Sequence, residues 1–128
     1  MTHVFEKLLE TAEAKDVPLR MLAHLGDAVF ELFEREREVL TSANAQKLHK
    51  NVVRRVNAVS QAAILEALMD HLTDAEKDIV RRARNMKVTG SRKVDQSAYR
   101  YATALEALVG YLYLTDKARL TEVLDLTL

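Results

Sequence analysis

The chain of 128 residues contains no cysteine, one proline and only three glycines, and these shortages narrow its structural class. Without cysteine it forms neither disulfides nor thiolate metal sites. Few helix breakers, together with 48% apolar and 30% charged residues, indicate a folded, mostly helical chain. A disordered chain or a β protein with many turns would need a different composition. We therefore expect one domain over residues 1–128.

Long apolar runs are also missing. No run approaches the roughly 18–20 residues that cross a bilayer. Residues 1–7 lack the charged and then apolar order of a signal peptide. These two absences predict a soluble, cytoplasmic protein that has no membrane partner.

Apolar residues recur at helical spacing along almost the whole chain, which predicts an all-α fold of about seven helices. The only sizeable loop is expected at residues 86–96. The predicted helices cover residues 3–15; 18–38, with Pro18 in the first turn; a segment from a Thr41-Ser42 cap to Val56; a segment from an Asn57 cap to Asp70; a segment from the capping box at Thr73 to about Asn85; residues 97–114; and a last segment after an Asp116 cap.

The net charge is zero, but the charges are unevenly distributed along the chain. Residues 1–46 carry nine acids and five bases, whereas residues 47–100 carry six acids and twelve bases. Residues 79–94 contain six bases and no acid. A basic middle of this kind suggests a surface that faces a polyanion. An ordinary solvated helix end and loop would explain the run equally well.

Two acids stand among small and apolar residues: Asp27 directly follows Gly26, and Glu106 lies four residues before Gly110. A carboxylate in an apolar helix costs free energy unless a cation or a hydrogen-bond donor meets it. Small neighbours allow two helices to approach closely, so both acids could face one cleft and bind Mg²⁺, which often takes only one or two carboxylates. Alternatively, each acid caps a neighbouring helix or pairs with an arginine. Spacing alone does not decide between these possibilities.

Both acids lie in segments that resemble the two signature segments of the ribonuclease III family. The similarity extends in order along nearly the whole chain. It is closest to the small branch called Mini-ribonuclease III, which has a catalytic domain without a double-stranded-RNA-binding domain. The matching segments are LGDAVFE at residues 25–31, LHK at 48–50, VSQA at 59–62, RNMK at 84–87 and YRYATALEALVGYLYL at 99–114.

The resemblance implies a ribonuclease III-like domain with metal-dependent endonuclease activity on double-stranded or structured RNA. Asp27 matches the signature aspartate and Glu106 the second signature glutamate, so the resemblance makes both catalytic and metal-binding. The implied ion is Mg²⁺, with Mn²⁺ as the alternative. For this branch the implied substrate is precursor large-subunit (23S) ribosomal RNA. The implied assembly is a homodimer, and the apolar stripe over residues 22–33 fits either that interface or an internal core.

Three positions depart from the pattern of full-length ribonuclease III, because Arg20, Ala23 and Thr103 stand where that family has carboxylates. Fewer carboxylates imply weaker metal binding or a single ion. The Mini branch is similarly reduced, so we interpret the departures as branch character. They also favour an alternative, a catalytically silent RNA-binding module. A helical protein-interaction domain is the remaining alternative, favoured only by the neutral charge and the alanine-rich helices.

The resemblance also suggests where RNA is held and which residues support the two acids. Glu31 and Thr103 are candidates for a place behind the metal ligands. For Glu31, a salt bridge or such a supporting contact is favoured over direct binding of the metal. Asp95 is expected to act like an N-cap of the sixth helix.

Two basic clusters would contact phosphates and 2′-hydroxyls of A-form RNA. Their members are Lys47, His49, Lys50 and Arg54 on the third helix, and Arg84, Asn85, Lys87, Arg92 and Lys93 in and before the long loop.

Overall fold

The computed structural model describes residue 7, residues 9–87 and residues 96–128. Within these residues the chain forms seven α-helices, one 3₁₀ turn and no strand, which confirms the all-α prediction. The helices are α1 (Thr11–Ala14), α2 (Leu19–Thr41), α3 (Ala45–Val56), α4 (Ala58–Leu68), α5 (Asp74–Arg84), α6 (Gln96–Thr115) and α7 (Lys117–Asp125), and the 3₁₀ turn Met69–His71 follows α4.

Three of the predicted helix caps are confirmed. The side chain of Asn57 accepts a hydrogen bond from the Ser60 amide at 2.9 Å and begins α4. Thr73 and Glu76 form a complete capping box at the start of α5. Asp116 accepts from the Arg119 amide at 3.0 Å and begins α7. In each case a side-chain oxygen satisfies an amide that the first helical turn leaves free.

The prediction that Thr41-Ser42 caps the third helix is wrong. Asn44 is the cap, because its side chain accepts from the Lys47 amide at 2.8 Å. The hydroxyl of Thr41 instead donates to the Arg37 carbonyl, and that of Ser42 donates to the Glu38 carboxylate. Both hydroxyls therefore stabilise the end of α2, which is longer than predicted.

The first helix is much shorter than the predicted 3–15. Only Thr11–Ala14 is helical within the described residues, and residues 1–6 and 8 lie outside them. The amide of Leu9 donates to the carbonyl of Leu114 at 3.0 Å. This bond ties the N-terminal segment to the end of α6, which competes with continuation of a helix. Of the predicted loop, residues 88–95 also lie outside the described residues.

Helix α6 forms the centre of the core. Ala104, Leu105, Ala107, Leu108 and Val109 are all 0% exposed, so most of the surface of this part of the helix is buried. Its most extensive packing is against α2, followed by α4 and α5. A helix that is apolar all round is expected to be surrounded by other helices in this way. None of the helices in the described part of the chain is long and apolar enough to cross a membrane.

Two glycines bring the backbones of α2 and α6 into direct contact. A Cβ atom on Gly26 would lie 1.7 Å from the Glu106 carbonyl oxygen, and one on Gly110 would lie 2.0 Å from the Leu22 carbonyl oxygen. Real Cβ atoms do not approach other atoms so closely, and the obstructing atoms belong to the main chain. The crossing therefore requires glycine at both positions. It places Asp27 beside Glu106.

Helix α3 is held against α2 by two carboxylates one turn apart. Glu34 is 1% exposed, and its Oε1 accepts from Nη2 of Arg55 at 2.8 Å. Glu38 Oε1 accepts from Nδ2 of Asn51 at 2.8 Å. Arg55 also donates to the Thr127 carbonyl and so ties the C-terminal turn to the same place. These contacts fix which face of α3 remains in solvent.

Candidate active site

The two signature acids converge at the crossing of α2 and α6. Asp27 is exposed, whereas Glu106 is half-buried. Their carboxyl groups lie within hydrogen-bonding reach of each other. The close approach follows from Gly26 and Gly110, since a larger residue at either position would separate the helices. The arrangement matches the convergence that the sequence suggested. The catalytic and metal-binding roles of the two acids remain predictions.

The Glu106 carboxyl has a strongly perturbed acidity. Burial raises its pKa to about 8, and the hydrogen bond and negative charge of Asp27 act in the same direction. The side-chain amide of Gln61 partly opposes this by lowering the pKa. Two close carboxyl groups without a cation between them tend to share a proton. A cation at this place would favour the charged form of both carboxyl groups and so lower the pKa of Glu106.

Gln61 is a site residue that the sequence analysis did not single out. It lies on α4, is 3% exposed, and its Nε2 atom makes no hydrogen bond with any part of the chain that the structure describes. Its effect on the pKa of Glu106 places the amide beside that carboxyl. The available signal was the VSQA segment at residues 59–62, where a polar side chain interrupts an apolar helix.

The donor set at the crossing fits a small oxygen-loving cation. Two carboxylates are close together here, and Mg²⁺ takes oxygen ligands while keeping several of its waters. Among the residues described, no three His, Cys, Asp or Glu side chains are grouped so as to hold a metal ion. An ion at the crossing would therefore have Asp27 and Glu106 as its only neighbouring pair of carboxylates among the residues described.

The two residues predicted to stand behind these ligands have different surroundings. Glu31 pairs with Arg35 at 2.6 Å one turn along α2, which confirms the salt-bridge alternative. Thr103 is half-buried one turn before Glu106. It lines a small cleft that also includes Arg20, Lys87 and Arg100. Ala23 occupies a position where full-length ribonuclease III has a carboxylate. It lies in the core and is 7% exposed.

Lys47, Lys50 and Arg54 share one solvent-exposed face of α3, and His49 lies to the side of that face. Lys47, His49, Lys50 and Arg54 are all exposed, and Arg54 donates to the side chain of its neighbour Asn51. Arg55 instead points inward and pairs with Glu34, so it belongs to the contact between α2 and α3. The exposed cations of α3 are therefore free to meet a polyanion.

The second basic cluster is only partly described. The guanidinium of Arg84 lies 5.8 Å from the ring centre of Tyr101, Asn85 ends α5, and Lys87 is exposed. Arg92 and Lys93 lie outside the described residues, as does the predicted cap Asp95. Arg84, Asn85 and Lys87 lie close together in sequence at the end of α5. The contact of Arg84 with Tyr101 places this end of α5 against α6.

Comparison with known proteins connects this geometry to a family. The Ribonuclease III domain model matches residues 20–117, a range that includes both Asp27 and Glu106. A Mini-ribonuclease 3 of Gloeobacter violaceus is 43% identical over 92% of this chain and 87% of its own length. The Mini-ribonuclease 3 of Symbiobacterium thermophilum is 46% identical over 91% of this chain and 92% of its own length. The chain belongs to the Mini-ribonuclease III branch of the ribonuclease III family.

A solved structure shares the fold of this chain. The crystal structure of a protein from Fusobacterium nucleatum superposes with a TM-score of 0.78 and 34% sequence identity. The match covers 88% of this chain and 93% of the other. As a member of this family the chain is an endoribonuclease, a hydrolase of RNA phosphodiester bonds.

Proposed function

We propose that this chain is a Mg²⁺-dependent endoribonuclease that cuts double-stranded or structured RNA, with precursor large-subunit (23S) ribosomal RNA as its substrate class. The observation that carries the proposal is the convergence of Asp27 and Glu106 at the contact of two glycines. A cation is the group that best relieves two close carboxylates at neutral pH. In a ribonuclease, a cation at this place would assist the hydrolysis of a phosphodiester bond.

In this mechanism Asp27 and Glu106 would hold the ion, which is Mg²⁺ or, as the alternative, Mn²⁺. When bound, the ion supplies Lewis-acid polarisation of the phosphodiester and makes water a stronger nucleophile. Glu106 must give up its proton for this, because its pKa of about 8 keeps it protonated at neutral pH without a cation. The buried amide of Gln61 is placed to orient the resulting carboxylate. Asp27, being exposed, faces the incoming strand.

The exposed basic face of α3 and the described end of α5 would bind the RNA backbone. A-form RNA is recognised chiefly through phosphates and 2′-hydroxyls, which requires cations and hydrogen-bond donors but little sequence reading. Lys47, Lys50 and Arg54 on α3 meet this requirement, as do Arg84 and Lys87 near the end of α5. Binding would then weaken steeply with salt, because each neutralised phosphate releases counterions.

The proposal predicts that Asp27→Asn and Glu106→Gln each abolish cleavage but retain duplex binding. Each change removes a charged metal ligand and leaves the basic surface intact. Cleavage of a 5′-labelled RNA duplex is measured in Mg²⁺ and in chelator, and binding is measured by filter retention. We expect cleavage to fall by about a thousandfold or more, as for other losses of essential catalytic groups.

Glu36→Gln is the matched control for these variants. Glu36 is an exposed acid on the same helix as Asp27, so its loss changes the charge without touching the acid pair. Wild-type cleavage by this control is expected. Substantial metal-dependent cleavage by Asp27→Asn would contradict the proposal. Duplex binding without cleavage by the wild type would instead support the silent RNA-binding module that Ala23 and Thr103 favour.

We also propose that the chain forms a homodimer through the exposed face of α2. Met21, Leu32 and Val39 are 62%, 58% and 65% exposed, and the exposed Ala28 lies between the first two. These positions share one side of the helix, at intervals close to multiples of the 3.5-residue repeat that packs helices together. The stripe flanks Asp27, so two copies related by a two-fold axis would bring together two acid pairs. Two such sites could cut both strands of one duplex.

A further inference from the structure

A cationic cleft lies next to the acid pair. Arg20 from α2, Lys87 after α5, and Arg100 with Thr103 from α6 contribute to its lining. Arg20 precedes Asp27 by two helical turns, a distance of about 10 Å along the axis. Thr103 precedes Glu106 by one turn. The cleft therefore lies one helical turn from Glu106 along α6 and two turns from Asp27 along α2, near the site where the scissile phosphate would be held.

The three cations of the cleft lack an acidic partner among the described residues, whereas most other arginines in that part of the chain have one. Within residues 9–87 and 96–128, no carboxylate forms a salt bridge with Arg20, Lys87 or Arg100. The other arginines of the described chain are more often paired, as in the contacts of Arg35 with Glu31, Arg55 with Glu34, Arg81 with Asp78 and Arg119 with Glu76.

The cleft is also organised before any ligand arrives. Nη2 of Arg20 donates a hydrogen bond to the main-chain carbonyl of Lys87, which joins the beginning of α2 to the chain just after α5. Arg100 is half-buried, so its side chain has less freedom than a fully exposed arginine. A guanidinium group that is fixed in place loses little conformational entropy when it binds an oxyanion, and its planar fork suits phosphate oxygens.

Three neighbouring cations repel one another unless an anion lies between them. We propose that Arg20, Lys87 and Arg100 form a subsite for one backbone phosphate of the RNA strand, next to the scissile phosphate. The inference rests on the proposed function, because it takes the acid pair as the place of hydrolysis. It adds Arg20 and Arg100 to the residues that hold substrate. Thr103, at the floor of the cleft, can donate its hydroxyl to the same phosphate.

The first test measures binding without cleavage. Arg20→Gln and Arg100→Gln are each combined with Glu106→Gln, and the affinity for an RNA duplex is measured at several salt concentrations. Each lost contact should weaken binding by about tenfold at low salt and reduce the salt slope by about one. Arg81→Gln, which removes an exposed arginine paired with Asp78 on α5, is the control and should leave the slope unchanged. Unchanged slopes in both cleft variants would overturn the subsite.

The second test identifies the phosphate. Duplexes carry a single neutral methylphosphonate linkage at successive positions, and cleavage is measured with and without the arginine changes. In the wild type, one linkage beside the cut should lower kcat/KM by about tenfold or more, whereas Arg20→Gln and Arg100→Gln should lose nothing further at that position. Equal losses in the wild type and in the variants at every position would overturn the proposal.

Two further outcomes separate this inference from the proposed function and from misfolding. If the wild type fails to cut unmodified duplex in Mg²⁺, the proposed function fails, and the salt slopes still decide the subsite. Arg20→Lys preserves the charge but not the planar fork. It should retain the wild-type salt slope while binding more weakly, and its thermal melting should match that of Arg20→Gln. A loss of slope in Arg20→Lys at unchanged melting temperature would contradict a phosphate contact by charge.

Discussion

The carboxyl of Glu106 makes the stability of the metal-free protein depend on pH. Its pKa rises from 4.5 in the unfolded chain to about 8 in the fold, first because of burial and then because of Asp27. The protonated form therefore stabilises the fold fully below about pH 4.5, and this contribution is lost as the pH rises through 8. Above that range the fold must hold two close negative charges.

We therefore predict that Glu106→Gln is more stable than the wild type at pH 8 in chelator and that the difference shrinks toward pH 5. The neutral amide keeps the shape of the side chain but cannot repel Asp27. Thermal denaturation followed by circular dichroism in EDTA measures the difference at each pH. Other acids also make stability depend on pH, for example Glu38, whose pKa is lowered by hydrogen bonds from Ser42 and Asn51. Their contributions are equal in the two proteins, so they cancel in the difference in stability. Parallel curves for the two proteins would contradict the prediction.

At the same scale, the sequence revealed the two acids but only part of their surroundings. Asp27 and Glu106 could be singled out because small residues beside an acid in an apolar helix are visible in one local window. Gln61 could not, since only the packing of α4 against α6 brings its amide to Glu106. The inward position of Arg55 also depends on a distant residue, the buried Glu34.

At the scale of helices, the glycine contact between α2 and α6 should be intolerant of even one methyl group. Gly26→Ala and Gly110→Ala each place a Cβ atom into a main-chain oxygen, so the helices must separate. We expect a loss of about 3 kcal/mol in the free energy of unfolding, at the upper end of overpacking effects. Urea denaturation measures this loss.

Ala67→Val is the control for the glycine variants. It adds methyl groups at an exposed position of α4, so only the lower helix propensity of valine, less than about 1 kcal/mol, should appear. Equal losses of unfolding free energy in the control and in Gly26→Ala would show that the cost reflects helix propensity rather than the contact between α2 and α6.

Helix limits were predictable where a cap is formed by nearby residues. Asn57, Thr73 and Asp116 each bind an amide three residues ahead, so the signal lies within four positions of the sequence. The end of α2 was not predictable in this way, because Thr41 resembles a cap but bonds backward to Arg37. The start of α1 was predicted too early because the Leu9 amide finds its acceptor at Leu114.

At the scale of the whole molecule, the proposed dimer predicts that one charge on α2 is enough to separate the copies. Leu32→Glu places a carboxylate in the centre of the exposed apolar stripe, where a partner would have to bury it. Sedimentation velocity should show a dimer for the wild type and a monomer for the variant. In the Leu32→Glu variant, the two strands of one duplex should then be cut independently rather than together.

Val59→Glu is the matched control for the dimer. Val59 is 67% exposed on α4, so its substitution adds the same charge on a different helix from α2. The control should therefore remain a dimer. A wild type that sediments as a monomer at micromolar concentration would remove the proposed assembly. Dissociation by the control as well would show that added charge alone, rather than the α2 stripe, controls association.

The close approach of Gly26 to the main chain of Glu106 also determines how this protein can fail. The spacing of the two acids is set by two polypeptide backbones at the centre of the core, not by flexible side chains. Loosening the core at this crossing would also separate the acids. If these acids are catalytic, we therefore expect heat inactivation to coincide with global unfolding, so that the site has no melting point separate from that of the fold.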